Sequence, residues 1–239
     1  IDRLYSFGLG QKSKIDLVGV PTPNIPSPLS SSWSGIALPW ISFGYGINLT
    51  PLDILTFYNA VANQGHLIYP YLGDAFREGS RLIPIRRDRI SHAICSKETV
   101  QKIKILLREV VKKGTGTSML DLPFSVSGKT GTTVKNYNSY LDNKDKQYQS
   151  SFVGFFPSES PKYSCIILID SPNSNIGYYG SVVAVPVFKE IAKKLYIKEG
   201  LTWYNDVSKT TLNTDSSVFN LEFEFSSTNL DKHVYPNVV

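Results

Sequence analysis

The sequence predicts an α+β fold in which an antiparallel sheet packs against helices. Three strand-like runs follow one another near the C-terminal end, and loops rather than helices join them. Connections of that kind favour antiparallel pairing. Apolar residues recur at helical spacing both before and after these runs. Of the 239 residues, 41% are hydrophobic and 19% are charged, a balance typical of a globular domain with its own core.

The N-terminal quarter predicts two helices separated by an extended loop. Residues 1–10 resemble the end of a helix that a glycine closes. The prolines of residues 21–28 exclude a helix or a central strand there. The second helix is predicted over residues 50–63, with Thr50 as its N-cap, Pro51 at the first helical position and Gly65 beyond its end. Apolar residues cover nearly every side of it, so we expect it to be buried.

The middle of the chain predicts a β-rich stretch and then a long helix. Residues 68–89 contain two short strands, with a turn at Gly79 and Ser80. A helix is predicted over residues 97–113, because Ser96 is a favourable N-cap and apolar residues repeat at helical spacing.

The last part predicts a sheet, a closing helix and a polar tail. Strands are predicted over residues 124–133, 148–156 and 163–170, a surface loop over 134–147 and a helix over 183–196. Beyond Gly200 the pattern weakens to a linker rich in Thr, Ser and Asn, with one alternating stretch at residues 218–225.

Composition excludes several classes of function. The net charge of +5 comes from 25 basic and 20 acidic residues spread thinly along the chain, which argues against nucleic acid as a partner. No run approaches eighteen consecutive apolar residues, so no segment of this sequence is predicted to span a membrane. The two cysteines and three histidines have no neighbours at metal-ligand spacing, so neither a metal nor a cofactor is predicted.

The run Ser-Gly-Lys-Thr-Gly-Thr-Thr at residues 127–133 is the most informative motif. A phosphate-binding loop is excluded, because Pro123 stands where that motif needs a glycine and no helix follows the Lys-Thr pair. Lys-Thr-Gly also occurs on the strand beside an acyl-transfer site. A strand edge with an exposed lysine is the alternative explanation for the triplet alone.

Each residue of the triplet, and the threonine that follows it, suits acyl transfer. Lys129 supplies a cation for a substrate carboxylate, and Thr130 and Thr132 supply hydroxyl donors. Gly131 leaves room where a peptide backbone must lie alongside, and the Thr132 N–H can point at a developing oxyanion.

Further sequence blocks surround this motif, at residues 33–40, 43–46, 49–52, 56–65, 110–116, 148–157, 178–180 and 184–188. Together with the motif, these blocks resemble class B penicillin-binding proteins, the monofunctional peptidoglycan transpeptidases. The resemblance covers about residues 1–197 and is closest to the division-specific enzymes of Bacteroidetes-type bacteria.

The resemblance implies an acyl-transfer reaction on D-Ala-D-Ala stem peptides through a serine nucleophile. Three motifs surround the site in that family: Ser-x-x-Lys, Ser-x-Asn and Lys-Thr-Gly. No serine here has a lysine three residues later, and Ser171-Pro172-Asn173 does not suit a catalytic loop. We therefore expect the nucleophile and its general base upstream of Ile1, and we expect this chain alone to be inactive.

The resemblance also assigns roles to residues of the motif. Lys129 and Thr130 would bind the carboxylate of a stem peptide or a β-lactam. Thr132 would add a side-chain contact and its N–H half of the oxyanion hole, and Thr133 would be a flanking contact. The aromatic residues Trp33, Trp40 and Tyr45 either line the groove or pack in the core, and packing is the favoured alternative.

Domain boundaries, location and partners follow from the same resemblance. Residues 1–197 would be the C-terminal portion of a transpeptidase domain, residues 198–232 a linker, and residues 233–239 resemble the start of a PASTA module. The parent protein would face the periplasm, held in the inner membrane by an N-terminal helix outside this sequence, with division proteins as further partners. A D,D-carboxypeptidase, a β-lactamase-like enzyme and a non-catalytic division scaffold are the alternatives.

Overall fold

The computed structural model describes residues 1–15, 17–31, 33–85, 90–135 and 146–199. Six helices, seven strands and one 3-10 turn occur in these residues. The helices are α1 Asp2–Ser6, α2 Ala37–Ser42, α3 Pro51–Ala62, α4 Lys97–Lys113, α5 Gly180–Val183 and α6 Val185–Glu199. The strands are β1 His66–Ile68, β2 Ala75–Glu78, β3 Arg81–Pro84, β4 Ile90–Ala93, β5 Ser127–Val134, β6 Tyr148–Phe156 and β7 Tyr163–Asp170, and the 3-10 turn is Thr117–Met119.

A three-stranded antiparallel sheet forms the centre of the fold, with β6 between β5 and β7. Helices lie on both of its faces, so the predicted α+β class is confirmed. The predicted bounds of β6 and β7 match the structure, because their apolar runs end at Pro157 and after Asp170. The strand β5 begins at Ser127 rather than at residue 124. In this register Ser125 would stand opposite Pro157, which has no N–H to donate, and the Ser125 carbonyl accepts from the Ser158 N–H instead.

Alternate side chains of β6 build the core on the two faces of the sheet. Phe152 and Phe156, both fully buried, meet Phe188 of α6, with ring centroids 4.7 Å apart for the Phe152–Phe188 pair. On the opposite face, Phe155 packs with Val61 of α3 and with Leu107 of α4. The sheet is therefore held between α6 on one face and α3 with α4 on the other.

Local sequence signals explain where α3 begins and ends. The Thr50 hydroxyl accepts from the Asp53 N–H, and the Asp53 carboxylate accepts from the Thr50 N–H at 2.8 Å, which completes a capping box. The helix ends at Ala62, and Gln64 and Gly65 then take positive φ angles of 55° and 88°. Of its twelve residues four are buried, seven are half-buried and only Pro51 is exposed, so the prediction of a buried helix is confirmed in part.

The other predicted caps are also present. The Ser96 hydroxyl accepts from the Thr99 N–H at 3.2 Å, and α4 keeps its predicted bounds. At the end of α1, Gly8 takes a φ of +82° and the Leu9 N–H donates to the Leu4 carbonyl at 3.2 Å. This is the 6→1 hydrogen bond of the Schellman motif, in which a glycine ends the helix.

Other elements differ from their predictions. The β2–β3 hairpin turns at Gly79, as expected. The strands β1 and β4, which lie before and after this hairpin in the chain, also pair with each other, and this pairing was not predicted. The short helix α2 was not predicted either. The closing helix is two helices with Ala184 between them, because Pro186 has no N–H to donate to the preceding turn. It continues through Glu199, two residues into the predicted linker, and residues 200–239 lie outside the described residues.

Within the described residues, none of the helices has both the length and the apolar character that a bilayer crossing needs. Cys95 and Cys165 are free thiols. Cys165 packs beside the α6-side core, and burial raises the pKa of its thiol.

The Phe152 ring joins the sheet to α6, so its removal tests this account of the core. We expect Phe152→Ala to lower the free energy of unfolding by about 3–5 kcal/mol, because a full ring and its packing are lost. Phe76 lies on the β2–β3 hairpin with 53% of its surface exposed, and Phe76→Ala should change stability by no more than about 0.5 kcal/mol. Urea denaturation of the two variants measures both values, and equal losses would contradict the assignment of Phe152 to the core.

Candidate active site

The backbone groups of β5 alternate between its partner strand and the open edge of the sheet. Lys135 N–H donates to the Gln147 carbonyl, so this is a hydrogen-bonded pair across β5 and β6. Hydrogen-bonded and non-hydrogen-bonded pairs alternate along an antiparallel ladder. Thr132 and Ser150 therefore form a non-hydrogen-bonded pair, whose backbone N–H and C=O groups face away from each other. The Thr132 N–H consequently points away from β6, where the described residues give it no hydrogen-bond partner.

The Lys129 ammonium lies at this same edge. Its Nζ donates to the Thr130 carbonyl at 2.9 Å, and that carbonyl belongs to the outward-facing set. The lysine is exposed to solvent. The structure therefore brings a cation and the Thr132 N–H to one edge of one strand, as the sequence predicts.

Thr130 and Thr132 lie on one face of β5, since residues two apart in a strand share a face. The Thr130 hydroxyl is 2.8 Å from the Thr115 hydroxyl, in the loop that follows α4. The Thr132 hydroxyl accepts from the Gly180 N–H, at the start of α5, at 3.1 Å. With that lone pair occupied, the Thr132 O–H is free to donate to a carboxylate.

Gly131 and Thr133 lie on the opposite face from the two threonines. A Cβ on Gly131 would come within 2.6 Å of the Ser151 Oγ, so the missing side chain makes room within the sheet. The predicted role for Gly131 concerned a substrate lying alongside, and the structure gives this glycine a contact with β6 as well. Thr133 is not brought together with Thr130 and Thr132, and its flanking contact stays a prediction.

The aromatic residues of the N-terminal half support the C-terminal end of β5. The Tyr45 hydroxyl accepts from the Val134 N–H at 3.3 Å, and the Tyr45 ring meets Trp40 edge-on at a centroid distance of 5.7 Å. Trp33, Trp40 and Tyr45 are all half-buried. Trp40 and Tyr45 pack on each other, but neither belongs to the core clusters that the structure describes, so the choice between lining the groove and packing in the core stays a prediction.

Sequence reasoning gave no role to three residues that touch the motif strand or its neighbour. Thr115 and Gly180 hold the two threonine hydroxyls, and Tyr178 accepts from the Ser150 hydroxyl while it stacks on Tyr148 at 3.9 Å. All three occur in blocks that carry the family resemblance. The family resemblance was therefore the signal that could have pointed to these residues. It does not show which distant residues they contact in the folded protein.

The serine of the motif itself has a structural partner. The Ser127 hydroxyl is fully buried and donates to the Ser158 hydroxyl at 2.8 Å. The Asn173 side chain, at the end of Ser171-Pro172-Asn173, accepts from the Asn175 N–H in a turn. In the described part of the chain, no three His, Cys, Asp or Glu side chains gather as they would around a metal ion.

The arrangement can hold a carboxylate and can direct one backbone donor at a neighbouring carbonyl oxygen. Comparison with known proteins agrees with this chemistry. Residues 2–193 match the family model of the penicillin-binding protein transpeptidase domain. The chain belongs to this family. Its similarity is to the class B penicillin-binding proteins.

Two relatives illustrate the similarity of this chain to the family. It is 32% identical over 197 residues to the peptidoglycan D,D-transpeptidase FtsI of Buchnera aphidicola, covering 82% of this chain and 32% of FtsI. It is 30% identical over 193 residues to the stage V sporulation protein D of Bacillus subtilis, covering 80% of this chain and 29% of that protein. The chain thus spans about three tenths of the length of these curated relatives.

A solved structure agrees with the fold of this chain. Penicillin binding protein 3 of Mycobacterium tuberculosis in complex with ampicillin is 31% identical, with a TM-score of 0.69. The likeness covers 83% of this chain and 45% of that one.

Gly180 lies so close to β5 that a methyl group there should disturb the site. A Cβ would come within 2.5 Å of the Ser151 carbonyl oxygen and 2.8 Å of the Gly131 carbonyl oxygen, and neither backbone atom can move aside alone. We expect Gly180→Ala to lower the free energy of unfolding by about 1–3 kcal/mol. Gly35→Ala is the matched control, because no atom lies within 4 Å of a Cβ there. Thermal unfolding compares the two variants, and an unchanged Gly180→Ala protein would refute the close contact.

Proposed function

We propose that the chain supplies the substrate-carboxylate site and one oxyanion donor of a penicillin-sensitive D,D-transpeptidase that cross-links peptidoglycan. The observation that supports this proposal is the outer edge of β5, which presents the Lys129 ammonium and the Thr132 N–H, with the Thr130 and Thr132 hydroxyls on one face of the same strand. A stem peptide ending in D-Ala-D-Ala offers a C-terminal carboxylate and, one residue before it, the carbonyl that reacts.

Lys129, Thr130 and Thr132 bind the carboxylate in this proposal. Charge-assisted hydrogen bonds from an ammonium and from hydroxyl groups are roughly twice as strong as neutral ones. The Thr132 O–H is available as a donor because its oxygen already accepts from Gly180. Holding the carboxylate fixes the register of the peptide along β5, in the manner of a strand added to a sheet edge.

The Thr132 N–H then meets the reacting carbonyl. A serine oxygen attacks the carbonyl carbon, charge develops on the carbonyl oxygen, and the N–H stabilises that charge. The carbon–nitrogen bond breaks, D-alanine leaves with a proton, and the amine of a second stem peptide displaces the serine to form the cross-link. The 239 residues hold no Ser-x-x-Lys sequence, and in this proposal the serine and its base lie in a segment of the full-length protein outside them.

We further propose that the full-length protein acts in division at the periplasmic face of the inner membrane of a Bacteroidetes-type bacterium, where this chain forms the C-terminal part of the transpeptidase domain. The relative named FtsI, a peptidoglycan D,D-transpeptidase, supports the reaction. The ampicillin complex of the Mycobacterium tuberculosis relative supports β-lactams as ligands. The linker and the PASTA-like residues 233–239 are part of the same proposal, as are partners from the division machinery.

Lys129 provides the direct test. In the full-length protein we expect Lys129→Ala to slow acylation by a fluorescent penicillin about ten- to a hundredfold, since a hydrogen bond to a charged group contributes about 1.5–3 kcal/mol. The readout is the rate at which the fluorescent adduct accumulates on the protein.

Lys135 is the matched control. It follows β5 directly and pairs with Asp170 at 2.8 Å, so Lys135→Ala should label at the wild-type rate. Unchanged labelling of Lys129→Ala would remove the role given to that lysine. Absence of any labelling in the full-length wild-type protein would favour a non-catalytic scaffold, and fast release of the adduct to water would favour a carboxypeptidase or a β-lactamase.

A further inference from the structure

The loop that follows α4 is shaped to present one hydroxyl to the motif strand. Gly114 N–H and Gly116 N–H both donate to the Val110 carbonyl, at 3.0 and 3.1 Å, which folds the loop back onto the last turn of the helix. Gly116 is buried, and a Cβ there would come within 3.1 Å of Val111. Thr115 stands between these two glycines, exposed to solvent, with its hydroxyl 2.8 Å from that of Thr130.

The hydroxyl pair can be arranged in two ways, and only one suits an anion. A threonine hydroxyl has one hydrogen to donate and two lone pairs to accept. If Thr130 donates to Thr115, its single hydrogen is used, and its oxygen would face a carboxylate with lone pairs. If Thr115 donates to Thr130, the Thr130 hydrogen is free for the carboxylate. An ionised carboxylate only accepts hydrogen bonds, so its binding requires the second arrangement.

We propose that Thr115 is a positioning residue, which donates to Thr130 and thereby directs the Thr130 hydroxyl hydrogen at the substrate carboxylate. The inference rests on the proposed function, because it assumes that Thr130 binds a carboxylate. Thr115 acts through Thr130 and makes no contact with the substrate itself. The carboxylate keeps its charge throughout the reaction, so Thr115 strengthens ground state and transition state alike.

This placement gives an expectation for the kinetics of acylation by a penicillin. Uniform binding appears in the dissociation constant of the non-covalent complex and leaves the rate constant of the chemical step unchanged. We expect Thr115→Val in the full-length protein to raise that dissociation constant about three- to tenfold, the range of one neutral hydrogen bond. Thr115→Ser retains the hydroxyl and should stay within about twofold of wild type.

A double-mutant cycle with Thr130→Val decides between positioning and direct contact. Once Thr130 has no hydroxyl, Thr115 has nothing to direct, so Thr115→Val should cause no further loss in that background. Thr117→Val, two residues further along the chain, serves as the control and should bind as wild type does. Stopped-flow acylation at several penicillin concentrations separates the two constants, and thermal unfolding shows whether each variant is folded.

Three results would overturn the proposal. A loss that persists in the Thr130→Val background would mean that Thr115 touches the ligand itself. A loss that Thr115→Ser shares, or one that appears only with a lower melting temperature, would mean a structural role. Wild-type binding by Thr115→Val would mean no role at all. If the full-length wild-type protein were not acylated, the proposed function would fail first, and that result is distinct from the other three.

Discussion

The pairing of β5 with β6 is the constraint on which the candidate site depends. It directs the backbone groups of residues 129, 131 and 133 into the sheet and those of residues 130, 132 and 134 towards the open edge. Alternation also places the Thr130 and Thr132 side chains on one face. A single register therefore determines which N–H can serve as an oxyanion donor, which carbonyl receives Lys129, and which hydroxyls stand together.

Contacts from distant parts of the chain keep that open edge in one conformation. Tyr45 accepts from Val134 across 89 residues, Gly180 donates to Thr132 across 48, and Thr115 meets Thr130 across 15. Donors that are already held in place need no reorganisation when charge develops on a ligand. Free edge strands readily pair with other chains, and here one of the outward N–H groups is covered by a tyrosine hydroxyl, while the Thr132 N–H is left for a ligand.

Sequence reasoning succeeded where the determining interactions are local. The caps at Thr50 and Ser96 and the bounds of β6 and β7 depend on residues a few positions apart, so the sequence pattern alone predicts them. The β1–β4 pair and the hydroxyl contacts of Thr115 and Gly180 depend on tertiary packing, which no periodicity records. Lys129, Thr130 and Thr132 were found through their motif, and their arrangement along one edge required the register.

The register of the site strand is itself protected by the core. Phe152 faces α6 and Phe155 faces α3, and both rings are fully buried. If β5 and β6 both shifted by one residue relative to the rest of the fold, each ring would move to the opposite face of the sheet, where no cavity accommodates it. If β5 slipped alone, an inward N–H from Gly131 or Thr133 would replace that of Thr132 at the edge, and the cross-strand room that Gly131 leaves for Ser151 would be lost. Burial of the two phenylalanines thus fixes the position of a backbone donor that no side-chain substitution at residue 132, proline apart, can remove.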